Sequence, residues 1–204
     1  MLNFVVLDIE TTGLSPANNE IIEVGAYKIQ DGLMIDSFSS LINPVGYVPR
    51  NIMELTGIDY KELSLAEGAD TVLPEFYDFV GNMPILGHNL PFDYRFLTEK
   101  MKNLGLDFTL NGERKGICTY QLSKKIFTEK GVSHKLMDVA ERLKVPVENA
   151  HLHRASTDAM ICKIIYDRML VFYSGVAGVK EPSLIEKDTK KYGKITETDT
   201  LAFE

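Results

Sequence analysis

A chain of 204 residues, 45% hydrophobic and 25% charged, has the balance of an ordinary folded protein: one domain, or one with a short appendage, able to bury roughly 70% of its unfolded surface. The net charge of −7 argues against a basic DNA-wrapping footprint, though not against an acidic enzyme that grips a strand end through bound cations. No apolar run approaches the ~20 residues that cross a bilayer, and MLNFVVLD has neither a basic start nor a cleavage site, so no membrane and a cytoplasmic location are expected.

Residues 2–9, LNFVVLDI, are nearly continuously apolar and β-branched, the pattern of a central strand covered on both faces. Residues 20–30 form a second strand, Asp31-Gly32 a hairpin turn, and residues 33–42 a third strand at an edge. Residues 43–60 read as a loop with a short helical piece, and 72–82 as a helix. A short strand follows at 84–87, then a helix over 91–104 with Pro91 in its first turn. Residues 117–127 and 133–144 are expected to be helical, the latter capped by Ser133, and 154–173 is the longest helix. The class is mixed α/β. Cys118 and Cys162 fit no metal or redox spacing and are expected to be buried free thiols in a reducing compartment.

Five residues stand out because the local pattern turns ionisable groups inward. Asp8 and Glu10, two apart on the first strand, share a face. An ordinary solvated strand end could carry one such acid; a pair followed by Thr11-Thr12-Gly13, with free backbone N–H groups at a glycine turn, is less ordinary. Asp93 heads a stripe with Leu97, Met101 and Leu104. Alone it would be read as an acid favoured by the helix macrodipole, but His88, Asn89 and Phe92 crowd the same turn. Asp158 heads a second stripe with Cys162, Ile165 and Met169, and His153 precedes it by five residues. A histidine side chain ordinarily titrates near ~6.5, which suits a general base. Four converging carboxylates need cations to offset their repulsion, and that points to phosphoryl-transfer chemistry on metals. Glu20, Glu23, Asp36 and Glu62 are read as solvated surface. The stretch from Gln121 to Phe127 faintly resembles a sliding-clamp docking peptide but falls in an expected core helix.

FVVLDIETTGL, GHNLPFDYRFL and HRASTDA together resemble the three motifs of the DEDDh (DnaQ-like) 3′–5′ exonucleases, on the side of the proofreading epsilon subunit of bacterial DNA polymerase III and its stand-alone relatives. EIIEVGAYKI and INPVGYVPRNIMELTGI agree as well, and the H-x4-D spacing marks the His-type branch. The resemblance covers about residues 3–173 and implies a ribonuclease H-like fold, a five-stranded mixed sheet flanked by helices; the domain is taken as 1–175 and the polar, charged residues 176–204 as a tail. It implies two divalent ions, Mg²⁺ or Mn²⁺, on Asp8, Glu10 and Asp158, with Asp8 bridging and Asp93 supporting the second ion. His153 would deprotonate the attacking water. Thr11, Thr12, Gly13 and Leu14 would hold the terminal nucleotide, Thr56, Gly57 and Ile58 would lie near the substrate, and His88, Asn89 and Phe92 would line the strand's path.

The expected activity is metal-dependent 3′–5′ hydrolysis of single-stranded or frayed DNA ends to nucleoside 5′-monophosphates, with proofreading as a role. RNA trimming by the same chemistry is the alternative, DNA being favoured. A catalytically silent module that tethers a polymerase is a third reading, opposed by the complete set of five residues. A DNA polymerase subunit is a candidate partner, although the tail is too polar for a large dry interface and favours a stand-alone or weakly tethered enzyme.

Overall fold

The computed structural model describes residues 3–110, 116–147 and 153–174. Three antiparallel strands open the chain: β1 (Phe4–Thr11), β2 (Ile21–Gln30) and β3 (Leu33–Leu41). On the other side of β1, β4 (Ile85–Gly87) and β5 (Gly116–Cys118) add in parallel, giving the order β3-β2-β1-β4-β5. The expected five-stranded mixed sheet flanked by helices is the fold found. β1 is central, and Val5, Val6 and Leu7 are fully buried, as a continuous apolar run requires. Asp31 (φ 52°) and Gly32 (φ 83°) are both left-handed, the geometry that matches the twist of a two-residue hairpin.

The helices are α1 (Arg50–Thr56), α2 (Tyr60–Leu65), α3 (Ala69–Val80), α4 (Leu90–Asn103), α5 (Thr119–Ile126), α6 (Leu136–Arg142) and α7 (Ala155–Ser174). The alternation of β1 sorts them onto two faces. Val5, Leu7 and Ile9 pack with Leu73 and Phe76 of α3 and Phe96 and Leu97 of α4. Phe4 and Val6 pack instead with Ile126 of α5, Val139 of α6 and Ile165 of α7, and the Phe4 ring meets Tyr166 edge-on at 5.5 Å. Asp8 and Glu10 continue the Phe4–Val6 side, so the fold turns both acids toward α7.

Several boundaries differ from the sequence expectation. Gly116–Cys118 is a strand rather than the start of a helix; three residues carry no period, and only pairing with β4 makes them extended. Residues 43–60 contain α1 and the start of a second helix. The latter is announced by a capping box in which Asp59 accepts from the Lys61 N–H (3.1 Å) and Glu62 from the Asp59 N–H (3.0 Å). Glu62 therefore has a structural task the surface reading missed. The helix expected at 72–82 begins at Ala69 and runs through Pro74. Ser133 is not the cap of α6: Lys135 holds that position without a side-chain bond, while the Ser133 hydroxyl donates to Asp138. Leu122, Ile126 and Phe127 are buried, so the clamp-like stretch offers no apolar residue of its own to a partner. Both cysteines are buried and free. The expected tail, 176–204, lies outside the described residues.

Candidate active site

Asp8 and Glu10 lie opposite Gly25 and Glu23 of β2, on the face that receives the N-terminus of α7. That approach is very close. A Cβ built on Gly25 would stand 2.1 Å from the Ser156 nitrogen and 2.3 Å from the Ala155 carbonyl carbon. Only glycine lets the helix start rest on the strand, and this contact brings Asp158 and His153 over the β1 acids. Ligand atoms of Glu10, His153 and Asp158 all fall within 4.8 Å of one another. His153 itself has φ 61°, a left-handed conformation uncommon for a side-chain-bearing residue and frequent at functional sites. Gly25→Ala is expected to destabilise the fold by about 1–3 kcal/mol by overpacking. It should also weaken Mn²⁺ binding, because α7 must lift from the sheet. Denaturant melts and a Mn²⁺ titration check both, and unchanged values would show that the close contact is dispensable.

Asp93 reaches the same centre from the opposite layer. The β1–β4 ladder pairs only Val5 with Ile85 and Val6 with Leu86, so Ile9 lies beyond it. The first turn of α4 meets it there, and the Ile9 N–H donates to Asp93 Oδ1 at 3.2 Å. Asp93 is 3% exposed.

The electrostatics are those of acids held together without enough compensation. Burial, followed by the charges of Asp93, Glu10 and Asp158, pushes the Asp8 carboxyl well above its ordinary range. Burial and then the Asp158 charge raise Glu10 to about 8, with Arg154 opposing. Burial raises Asp93 to about 8 despite the Ile9 hydrogen bond. Burial also raises Asp158, less the help of nearby His153. Asp158 Oδ1 is buried without a hydrogen-bond partner, a state that calls for an explanation such as an ion. A donor set of carboxylate oxygens with one imidazole, one oxygen unsatisfied and every acid proton-hungry, fits divalent cations.

The other residues singled out in the sequence divide into two kinds. Leu14 is 83% exposed beside the site, while Thr11 and Thr12 are buried in the turn that presents it. The Thr11 hydroxyl donates to the Gly13 carbonyl (2.7 Å), and Thr12 Oγ1 accepts the Glu20 N–H (2.9 Å). At the start of α4 Phe92 is half-buried and Asn89 exposed, with Asn89 left-handed at φ 60°. Thr56 and Ile58 are buried. The Thr56 hydroxyl is used on Ile52 and Ile58, so only exposed, left-handed Gly57 and the backbone of this segment face outward.

His88 is also engaged internally. Its Nε2 lies 2.9 Å from the His134 carbonyl and its Nδ1 2.9 Å from the Thr119 hydroxyl. Because the carbonyl can only accept, the proton sits on Nε2. Burial lowers the group to about 4, so the ring is neutral and Nδ1 accepts a hydrogen bond from the Thr119 hydroxyl. Neither nitrogen is left for a passing strand.

Glu23 is the functional neighbour the surface reading missed. It is 1% exposed, stands opposite Glu10, and pairs with Arg154 through Nη2–Oε1 at 2.8 Å. A signal existed: a glutamate between Ile22 and Val24, in a strand apolar on both faces, must find a partner or an ion.

A sheet of this topology with an acidic, histidine-bearing centre at the end of its middle strand defines a ribonuclease H-like nuclease. A family model described as exonuclease, of the RNase T type, matches residues 5–166. The chain belongs to this family and, within it, to the DEDDh (DnaQ-like) 3′–5′ exonucleases. It is 40% identical over 193 residues to the PolC-type DNA polymerase III of Thermotoga petrophila, covering 93% of this chain but 13% of that protein. It is 32% identical over 169 residues to the DNA polymerase III subunit epsilon of Aquifex aeolicus, covering 82% of this chain and 80% of the subunit. Among solved structures, exonuclease X in complex with 5′-overhanging duplex DNA aligns with a TM-score of 0.65 at 22% identity, over 91% of this chain and 98% of the other. The nuclease domain of 3′hExo, a DEDDh family member bound to rAMP, aligns at 0.69 and 19% identity, over 83% and 92%.

Proposed function

We propose that this chain is a metal-dependent exonuclease that hydrolyses single-stranded or frayed DNA 3′ ends to nucleoside 5′-monophosphates, in a proofreading role beside a replicative polymerase. The observation that carries the reading is the Glu10–His153–Asp158 group, with ligand atoms within 4.8 Å and one Asp158 oxygen unpartnered. Asp8, Glu10, Asp93 and Asp158 would hold two divalent cations, Mg²⁺ or Mn²⁺, whose hardness suits carboxylate oxygens. When bound, the cations supply positive charge against the charge developing on the phosphate oxygens.

The chain's own groups do the rest. His153 stands where it can take the proton of the attacking water, and the adjacent Asp158 stabilises the imidazolium that results. Exposed Leu14 offers an apolar surface to the terminal base, a grip that needs no sequence readout, and Thr11–Gly13 holds Leu14 in place. Phe92 and Asn89 at the start of α4, and the backbone around Gly57, would flank the strand. The polymerase role is supported by the similarity to DNA polymerase III proteins of both PolC and epsilon type. Since the chain spans 13% of the PolC-type relative, that similarity concerns one segment of a much larger protein.

The test uses 5′-labelled DNA and RNA strands of one sequence, with Mg²⁺ or Mn²⁺, a chelator control and Asp8→Ala. A metal-dependent ladder on DNA, lost in Asp8→Ala, is expected. A ladder chiefly on RNA would move the function to RNA processing. No ladder on either would favour a binding module.

A further inference from the structure

We infer that Glu23 and Arg154 form a positioning clamp that sets where His153 and Asp158 stand relative to Glu10. This rests on reading the site as a metal-dependent nuclease. Glu23 accepts four hydrogen bonds: from Arg154 Nε to Oε1 (3.0 Å) and Oε2 (3.2 Å), from Arg154 Nη2 to Oε1 (2.8 Å), and from the Ala155 N–H to Oε2 (2.9 Å). Arg154 follows the left-handed His153, and its carbonyl accepts the Asp158 N–H at 3.0 Å, closing the first turn of α7. One buried carboxylate thus fixes the residue after the histidine and the turn that carries the acid.

Glu23 is not read as a further metal ligand. Its oxygens are occupied by Arg154 and Ala155, whereas Asp158 Oδ1 has no partner. Its position is electrostatically unfavourable, because its charge raises the proton affinity of Glu10 and Asp8 opposite and beside it. An apolar residue at that point would relieve the repulsion and could not hold the helix start. The bidentate fork fixes an angle as well as a distance, and a lysine at 154 would supply charge without that geometry.

Charge and position predict opposite results for Arg154→Ala. If Arg154 acted only through its charge, removing a cation beside the acids would tighten Mn²⁺ binding. If it positions α7, Mn²⁺ binding weakens, about tenfold on the scale seen when groups that orient metal ligands are removed. Turnover should fall about 100-fold, the scale of an ångström-sized misplacement of reacting groups, with KM for a DNA oligonucleotide within about twofold. Arg154→Lys should remain impaired, and Glu23→Gln should follow Arg154→Ala. In a His153→Ala background the Arg154→Ala effect on turnover should largely vanish, since both act through one group.

The experiment measures kcat and KM on the DNA strand, and Mn²⁺ affinity by electron paramagnetic resonance, in the full chain and these variants. Weakened Mn²⁺ binding and reduced kcat in Arg154→Ala, not restored by Arg154→Lys, is the expected result. Unchanged or tightened Mn²⁺ binding, or a Lys variant at the native rate, would overturn the clamp. A native chain inactive on all strands would overturn the nuclease reading, and the Mn²⁺ affinities would still decide the clamp.

Discussion

Replacing His153 with alanine is expected to lower kcat by about 10²–10⁴-fold, the usual worth of a positioned general base, while the KM for a DNA strand stays near native. The ring nitrogen of His153 lies within 4.8 Å of carboxylate oxygens of Glu10 and Asp158, close enough that it could serve either as a base beside the cations or as a ligand to one. The two roles separate on metal affinity. A base leaves Mn²⁺ binding nearly intact when removed, and kcat falls alone. A ligand takes metal affinity with it, and part of the lost rate returns at high Mn²⁺. Steady-state kinetics over a Mn²⁺ series, beside a direct Mn²⁺ titration, makes the distinction. A rate near native would remove His153 from the mechanism.

The second large effect is on stability. Without divalent cations, Glu10 and Asp93 are each raised to about 8 and Asp8 lies well above its usual range, chiefly because burial disfavours their charged forms. Carboxyls of the unfolded chain titrate near ~4. Between these values the native protein binds more protons than the unfolded chain, so stability falls as pH rises. The contribution is fully present below about pH 4 and is lost as pH passes 8. Damped by relaxation and water entry, a loss of about 2–3 kcal/mol between pH 6 and 9 corresponds to roughly 5–10 °C in Tm. Mn²⁺ should flatten or reverse this slope, because the cations replace the missing protons. At a hundredfold excess over Kd they add about 2.7 kcal/mol. Asp158→Asn should be more stable than the native chain at pH 9 in chelator, and should gain less from Mn²⁺. Thermal melts at pH 6 and 9, with chelator or Mn²⁺, test all of this. A chelator-state Tm that rises with pH would show that burial and mutual repulsion do not hold these acids protonated in the fold.

The epsilon and PolC similarities bear on the partner question differently from the tail. The polar composition of 176–204 leads to the expectation of a free or weakly tethered enzyme. The relatives place a similar nuclease segment both in a separate subunit and within a long polymerase chain. We propose that the domain works beside a polymerase, and copurification of the full chain and of a chain truncated at Gly178 would show whether the tail mediates it.

What the sequence determined by itself was local and periodic. The two-residue period of β1 puts Asp8 and Glu10 on one face, and the helical period of α4 and α7 puts Asp93 and Asp158 at the head of buried stripes, although Leu104, expected in the first stripe, lies past the end of α4 and is 37% exposed. These signals survive because each repeats over a full element, and three motifs in order carry the family. What only the tertiary structure decided depends on contacts between segments far apart in the chain. Gly25 carries no signal in the sequence, and only the approach of α7, so close that a Cβ there would stand 2.1 Å from the Ser156 nitrogen, shows why glycine is needed. Glu23 reads as a surface acid until Arg154, 131 residues later, covers it. His88 reads as a strand-lining group until Thr119 and His134 take both its nitrogens. β5 becomes a strand only on pairing with β4. In each case burial, and the choice of partner for a polar group, are set by chain closure over long separations, and no window of sequence contains them.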